Sequence, residues 1–338
     1  MRYDFGSDNT AGMAPSALDG LIQANAGFVP SYGADAITAR AADQIRQRLD
    51  ADADVRFVFS GTAANAIALS MLTYPFEAVL AHNAAHVCTD ETGAPGFFGQ
   101  GVGLIGLPGF SGRIDPLALK AQLTEPEVGH RQPPAALSLT QATEYGAVYT
   151  EEELRHLIEP VKARGYGVHM DGARLANAAA AGFDLKDIAR LGVDILVFGG
   201  AKAGASCVEA LVLFDKSLAR RLDNRLKQAG QTASKARTLA GPMLGLLESG
   251  DWEAGGAHAN LMAQRLAAGI ATRSPFVLAH PVESNTVFVR IPAEAHQRLK
   301  ALGWACYQFD DGSVRFVCSW ATQEEAVDEL IAAIAGLN

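Results

Sequence analysis

Short apolar runs alternate with helix-patterned stretches along most of the first 240 residues. Val55-Arg56-Phe57-Val58-Phe59 has the pattern of a short buried strand. It ends in Ser60-Gly61-Thr62, and Ala63 to Leu72 continues as a helix. Ala78-Val79-Leu80-Ala81 is a strand leading to His82–His86, and Ala136–Thr140 is a strand leading to a polar loop. Thr150-Glu151-Glu152-Glu153 sets acidic residues at the positive end of a helix that runs to about Arg164. Gly167-Val168-His169-Met170 ends at Asp171, and Asp194–Phe198 ends at Gly199-Gly200. Runs near 103–107 and 208–214 add further strands, and a helix over about 38–49 precedes the first one. The opening 35 residues, rich in Gly, Asn, Asp and Pro, read as an arm and loop. Strands alternating with helices predict a mainly parallel α/β sheet. The pattern changes near Gly241-Pro242. A long helix from about Ala257 to Ile270, strands near Thr286–Ile291 and Val314–Cys318, and a last helix over Gln323–Ile334 predict a smaller α+β domain. The expected division is an arm and large domain over residues 1–242 and a small domain over residues 243–338.

Composition narrows the function. A chain of 338 residues has room for two domains of about 150 each and a core that needs no disulfide or metal to hold it. A net charge of −9 makes nucleic acid a poor partner, because basic patches supply most of that affinity. Cys88, Cys207, Cys306 and Cys318 are scattered with no CxxC pair, the usage of a reducing compartment. Met1–Phe5 lacks an apolar signal core, and no apolar run approaches the roughly 20 residues of a membrane span. The expectation is a cytoplasmic, soluble protein without a metal ion.

Ligands of open α/β sheets sit at the carboxyl ends of the strands. The residues collected there are Gly61-Thr62, His86, Glu144, Asp171 with Arg174, and Lys202. Gly61-Thr62 at a helix start suits a phosphate, through free backbone N–H groups and the helix dipole; taken alone, a tight turn with a Thr cap is the simpler reading. GxxxxGK[ST] is absent and no GxGxxG follows a strand, which disfavours a P-loop or a nicotinamide fold. Asp171 could cap the Ala-rich helix that follows it. Lys202 could be a solvated loop lysine, or an amine nucleophile at an apolar strand end where glycines let a planar group lie against the backbone. Together they are the protein's share of pyridoxal phosphate (PLP) chemistry: an amine, a carboxylate for the pyridinium nitrogen and a phosphate-binding helix start.

Several stretches in this order make the chain recognisable: Ser7-Asp8-Asn9, Tyr32-Gly33, Ser60-Gly61-Thr62-Ala63-Ala64-Asn65, His86 with Asp90–Pro95, His169-Met170-Asp171-Gly172-Ala173-Arg174, Phe198–Lys202, Lys227–Gly230 and Arg315–Val317. Nearly end to end it resembles the low-specificity L-threonine aldolases, in the β-eliminating lyase group of fold-type I PLP enzymes. The resemblance implies an aspartate aminotransferase-like large domain and PLP as cofactor. It implies that Lys202 holds PLP, Asp171 pairs with the ring nitrogen, His86 stacks on the ring, and Gly61 and Thr62 hold the phosphate. Lys227 would help from a neighbouring subunit. Ser7, Arg174 and Arg315 would bind the substrate carboxylate, and Tyr32 would reach the site from a partner chain of a homotetramer, a dimer of dimers with shared sites. Where many members carry a histidine near the substrate hydroxyl this chain has Glu144, as in a bacterial branch that shares its GGAK lysine context.

The expected reaction is aldol cleavage of L-threonine and L-allo-threonine, and of bulkier relatives such as phenylserine, to glycine and an aldehyde. His86, Glu144 or water would take the hydroxyl proton. Two alternatives stay open. One is another PLP reaction, such as β-elimination, transamination or racemisation. The other is a non-catalytic PLP- or amino-acid-binding protein.

Overall fold

A computed structural model describes residues 1–309 and 311–337. Seven strands form the main sheet: β1 (Asp54–Val58), β2 (Ala78–His82), β3 (Gly103–Leu107), β4 (Pro134–Thr140), β5 (Gly167–Gly172), β6 (Ile195–Gly199) and β7 (Glu209–Leu213). Their order is β1-β7-β6-β5-β4-β2-β3. The strands β6, β5, β4, β2 and β3 pair in parallel. β7 runs antiparallel to both β6 and β1. Two reversals cancel, so β1 points the same way as the parallel set. The ends of β1, β2, β4, β5 and β6 and the start of β7 therefore share one edge. Glu209 at that start pairs with both Gly199 and Val58. β2, β6 and β7 are buried along their whole length, as expected of strands covered on both faces.

The helices form where the pattern places them. Ser60 caps the helix Gly61–Leu72 by accepting from the Ala63 N–H at 3.3 Å. Thr150 and Glu153 form a reciprocal capping box on Glu151–Lys162. The opening segment differs from the expected arm and loop: Pro15–Ala24 is a helix. Its packed face is made of small residues, and so no apolar stripe betrays it. Gly20 lies against Gly241 of the helix Arg237–Ser249, where an added Cβ would sit 2.3 Å from the Gly241 carbonyl oxygen. The position expected to divide the chain, 242, lies inside that same helix.

The second sheet, entirely antiparallel, has the order β10-β11-β9-β8, from β8 (Val277–Leu278), β9 (Thr286–Arg290), β10 (Tyr307–Gln308) and β11 (Val314–Val317). It shares a core with the helices Asp251–Arg273 and Glu324–Ala335. Phe5 is buried in that core and its carbonyl accepts from Val317 N–H at 2.9 Å. The chain's beginning is thereby fastened beside Arg315, close to the edge where the large-sheet strands end.

Candidate active site

At the shared edge a cavity of about 530 Å³ is lined by Gly61, Thr62, His86, Glu144, Asp171, Arg174 and Lys202, among others. Its size is that of a cofactor site. Ser7, Tyr32, Lys227 and Arg315 are not among its lining residues.

Asp171 stands near the end of β5. Its Oδ1 accepts from Ala173 N–H at 2.9 Å and its Oδ2 from the Asn65 amide at 2.8 Å. Burial opposes its ionisation, but the Lys202 charge and these donors hold it below the usual carboxylate range. It does not cap the following helix, which begins at Leu175. Lys202 stands in the turn after β6 and has no hydrogen-bond partner among the described residues. Burial, then Arg174, lowers its proton affinity, against the pull of Asp8, Asp171 and Glu209. A lysine so placed is a better amine nucleophile than a solvated one.

Gly199 and Gly200 serve a purpose other than the expected one. A Cβ at Gly199 would come within 2.5 Å of the Gly172 carbonyl oxygen, and one at Gly200 within 2.4 Å of Met243 Cε. The protein's own atoms fill that space, so these glycines allow close packing rather than the approach of a planar ligand. Gly61, by contrast, is open: an added Cβ there would meet nothing within 4 Å. With Ser60 occupied by the Ala63 N–H, the earlier N–H groups of that helix start face no intrahelical acceptor.

His86 and Glu144 are joined, since the His86 backbone N–H donates to Glu144 Oε1 at 2.9 Å. Thr140 Oγ1 donates to the same oxygen at 3.0 Å, while Glu144 Oε2 is buried with no partner among the described residues. Burial raises the Glu144 carboxyl above its ordinary value. The His86 ring meets Glu91 Oε1 through Nδ1 at 2.9 Å, and that contact raises its proton affinity.

The two expected carboxylate-binding arginines differ. Arg174 donates to Asp8 twice, from Nε at 2.7 Å and Nη2 at 3.0 Å. Arg315 on β11 lies over the Phe309 ring at 4.9 Å, and its Nε is buried without a partner among the described residues. Burial, together with the Arg174 charge, pulls it down to about 10. Ser7 Oγ accepts from Asn9 N–H at 3.2 Å, outside the cavity lining. Tyr32 and Lys227 lie together on the surface, the ammonium 5.0 Å from the ring centroid.

Asp8, Asn65, Glu91 and Glu209 had no role in the sequence reading, although the first three stand inside the recognised stretches. Glu209 Oε2 accepts from Gly200 N–H at 2.7 Å beneath the lysine turn, and burial pushes its carboxyl up to about 7. A lone charge in the apolar run Val208–Leu213 was its signal.

A model of the β-eliminating lyase family matches residues 4–294. A low specificity L-threonine aldolase of a Pseudomonas species is 42% identical over 333 residues, covering 98% of this chain and 96% of that one. A solved threonine aldolase structure from Leishmania major superposes with a TM-score of 0.92 at 32% identity, covering 99% of both chains. Aspartate aminotransferase from Thermus thermophilus, with maleate, gives 0.73 at 16% identity, covering 97% of this chain and 89% of that one. The architecture is the aspartate aminotransferase-like one.

Proposed function

The chain belongs to the β-eliminating lyase family, and on that premise we propose that it is a PLP-dependent lyase cleaving L-threonine and L-allo-threonine to glycine and acetaldehyde, with phenylserine and similar β-hydroxy-α-amino acids as further substrates. The observation that carries this is the convergence of Lys202, Asp171, His86 and the open helix start at Gly61-Thr62 on one cavity. Those residues fit PLP. Lys202 is an amine with lowered proton affinity and no hydrogen-bond partner among the described residues, Asp171 is a carboxylate kept ionised, and Gly61 leaves room for a phosphate beside free N–H groups.

When bound, PLP supplies an electron sink for the charge left on Cα as the Cα–Cβ bond breaks. Lys202 would hold the cofactor, Asp171 would keep its ring nitrogen protonated, and His86 would lie on the ring face. Arg315 would take the substrate carboxylate, with Arg174 and Ser7 bordering that position. Arg174 reaches it already neutralised by Asp8, which favours Arg315 as the principal partner. Two acceptor atoms are free to receive the β-hydroxyl proton, Glu144 Oε2 and His86 Nε2. Neither has a hydrogen-bond partner among the described residues.

The same reading makes the protein a cytoplasmic homotetramer with sites shared between chains. Its support is that Tyr32 and Lys227 lie away from their own chain's cavity. Tyr32 is 57% exposed and close in sequence to the fully exposed Phe28. The four cysteines are free thiols, as a reducing compartment allows. Among the described residues no helix is long and apolar enough to cross a membrane.

Lys202→Ala tests the core of the reading. It should abolish the lysine-dependent cofactor absorbance and lower turnover roughly 10³-fold or more. An unchanged spectrum and rate would overturn it.

A further inference from the structure

Glu91 is a carboxylate with no part in the reaction as described, buried a few residues after His86. Its Oε1 meets His86 Nδ1 at 2.9 Å and the Asn65 amide nitrogen at 2.8 Å. That nitrogen also meets Asp171 Oδ2 at 2.8 Å. Both carboxylates can only accept when ionised, so the nitrogen of Asn65 must face them and each of its two hydrogens serves one. The Asn65 oxygen and Glu91 Oε2 are left buried with no partner among the described residues. Retaining two orphaned polar atoms is costly. The cost is intelligible if the amide is needed where it is.

We propose that Glu91 and Asn65 are positioning residues that set the proton on His86: Glu91 fixes it at Nδ1, which leaves Nε2 as the free acceptor, and Asn65 ties Glu91 to the Asp171 carboxylate. These roles rest on the proposed site. The bridge joins the residue expected on the cofactor's ring face to the residue expected at its ring nitrogen. Asn65 keeps the two carboxylates from facing each other unscreened, and it limits how strongly Glu91 draws the His86 proton. The charged groups around His86 are Glu91, Asp171 and Lys202, with Glu144 on its backbone N–H. Glu91 makes the direct contact with the ring.

The two ends of the bridge predict shifts of opposite sign. Glu91→Gln keeps the shape and removes the charge, so His86 should release its proton about one pH unit lower. Asn65→Ala takes a donor from Glu91, strengthens its hold on the imidazolium, and should move the same midpoint up by about half a unit. The measurement is an NMR titration of the holoenzyme with ¹³C-labelled histidine, the His86 signal being identified by its loss in His86→Gln. Damage to the fold alone would not give opposite shifts. Unmoved midpoints, or midpoints moving the same way, overturn the bridge. If they move as expected while the wild type releases no acetaldehyde from L-threonine, the bridge stands and the proposed reaction falls.

Discussion

Asp8 and Arg174 form a two-pronged ion pair in which the carboxylate is 1% exposed and the guanidinium side chain 11%. It joins the chain's beginning to the end of the central strand β5, and the Asn285 amide adds a third bond to the same carboxylate at 3.1 Å. Burial alone pushes the Asp8 carboxyl up, but Arg174, Lys202 and Asn285 together bring it to about 2.

This pair predicts an acid-sensitive contribution to stability. A carboxyl at about 2 in the fold and near 3.8 outside it contributes roughly 2 kcal/mol. Because the folded value is depressed, that contribution is complete above about pH 4 and is lost as the pH falls through about 2. Asp8→Ala leaves the guanidinium buried and unpaired, and should cost about 3 kcal/mol or more at neutral pH. Denaturant unfolding of both proteins at pH 7 and pH 3 checks this; equal stability at pH 7 would contradict it.

Of the two arginines expected to bind the substrate carboxylate, Arg315 is the one with no carboxylate partner among the described residues. Arg315→Ala should raise KM for L-threonine by roughly 10- to 100-fold and lower kcat less. Arg315→Lys should recover only part of the loss, because an ammonium lacks the two-pronged fork. Steady-state kinetics decide it, and an unchanged KM would remove Arg315 from the substrate site.

Glu144, in the cavity wall, carries an oxygen with no partner among the described residues. If it takes the hydroxyl proton, Glu144→Gln should slow threonine cleavage at least about 10-fold more than exchange of the glycine α-proton. Its raised proton affinity also predicts that the wild-type cleavage rate climbs as the carboxyl ionises with rising pH. Equal slowing of the two reactions would leave Glu144 only a binding role.

Tyr32 and Lys227 should act across a subunit boundary. Lys227→Ala alone should weaken PLP binding. Refolding an equimolar mixture of Lys202→Ala and Tyr32→Ala chains should restore activity that neither variant has, since some sites then receive an intact residue from each chain. No recovery in mixtures confirmed to contain hybrid oligomers would mean that each site is built from one chain.

The sheet and its site edge were legible because buried strands announce themselves by continuous apolar runs, and because the chemistry sits where those runs stop. Asp171 and Lys202 were found that way. The helix Pro15–Ala24 was hidden for the opposite reason: it packs through Ala17, Gly20 and Ala24, while Leu18 and Ile22 face outward. The glycines before Lys202 read as room for a planar ligand, whereas the space beside them is filled by the Gly172 carbonyl and Met243. Partnerships were the least legible feature. That Arg174 is held by Asp8, 166 positions away, and that Asn65 bridges Glu91 and Asp171, are facts of folding that local spacing does not encode.

The most direct test of the central claim is acetaldehyde release by the purified protein, supplied with PLP and given L-threonine, L-allo-threonine or D-threonine separately. The account predicts release from both L-isomers and none from the D-form. Absence of acetaldehyde from both L-isomers, with the cofactor bound, would contradict it.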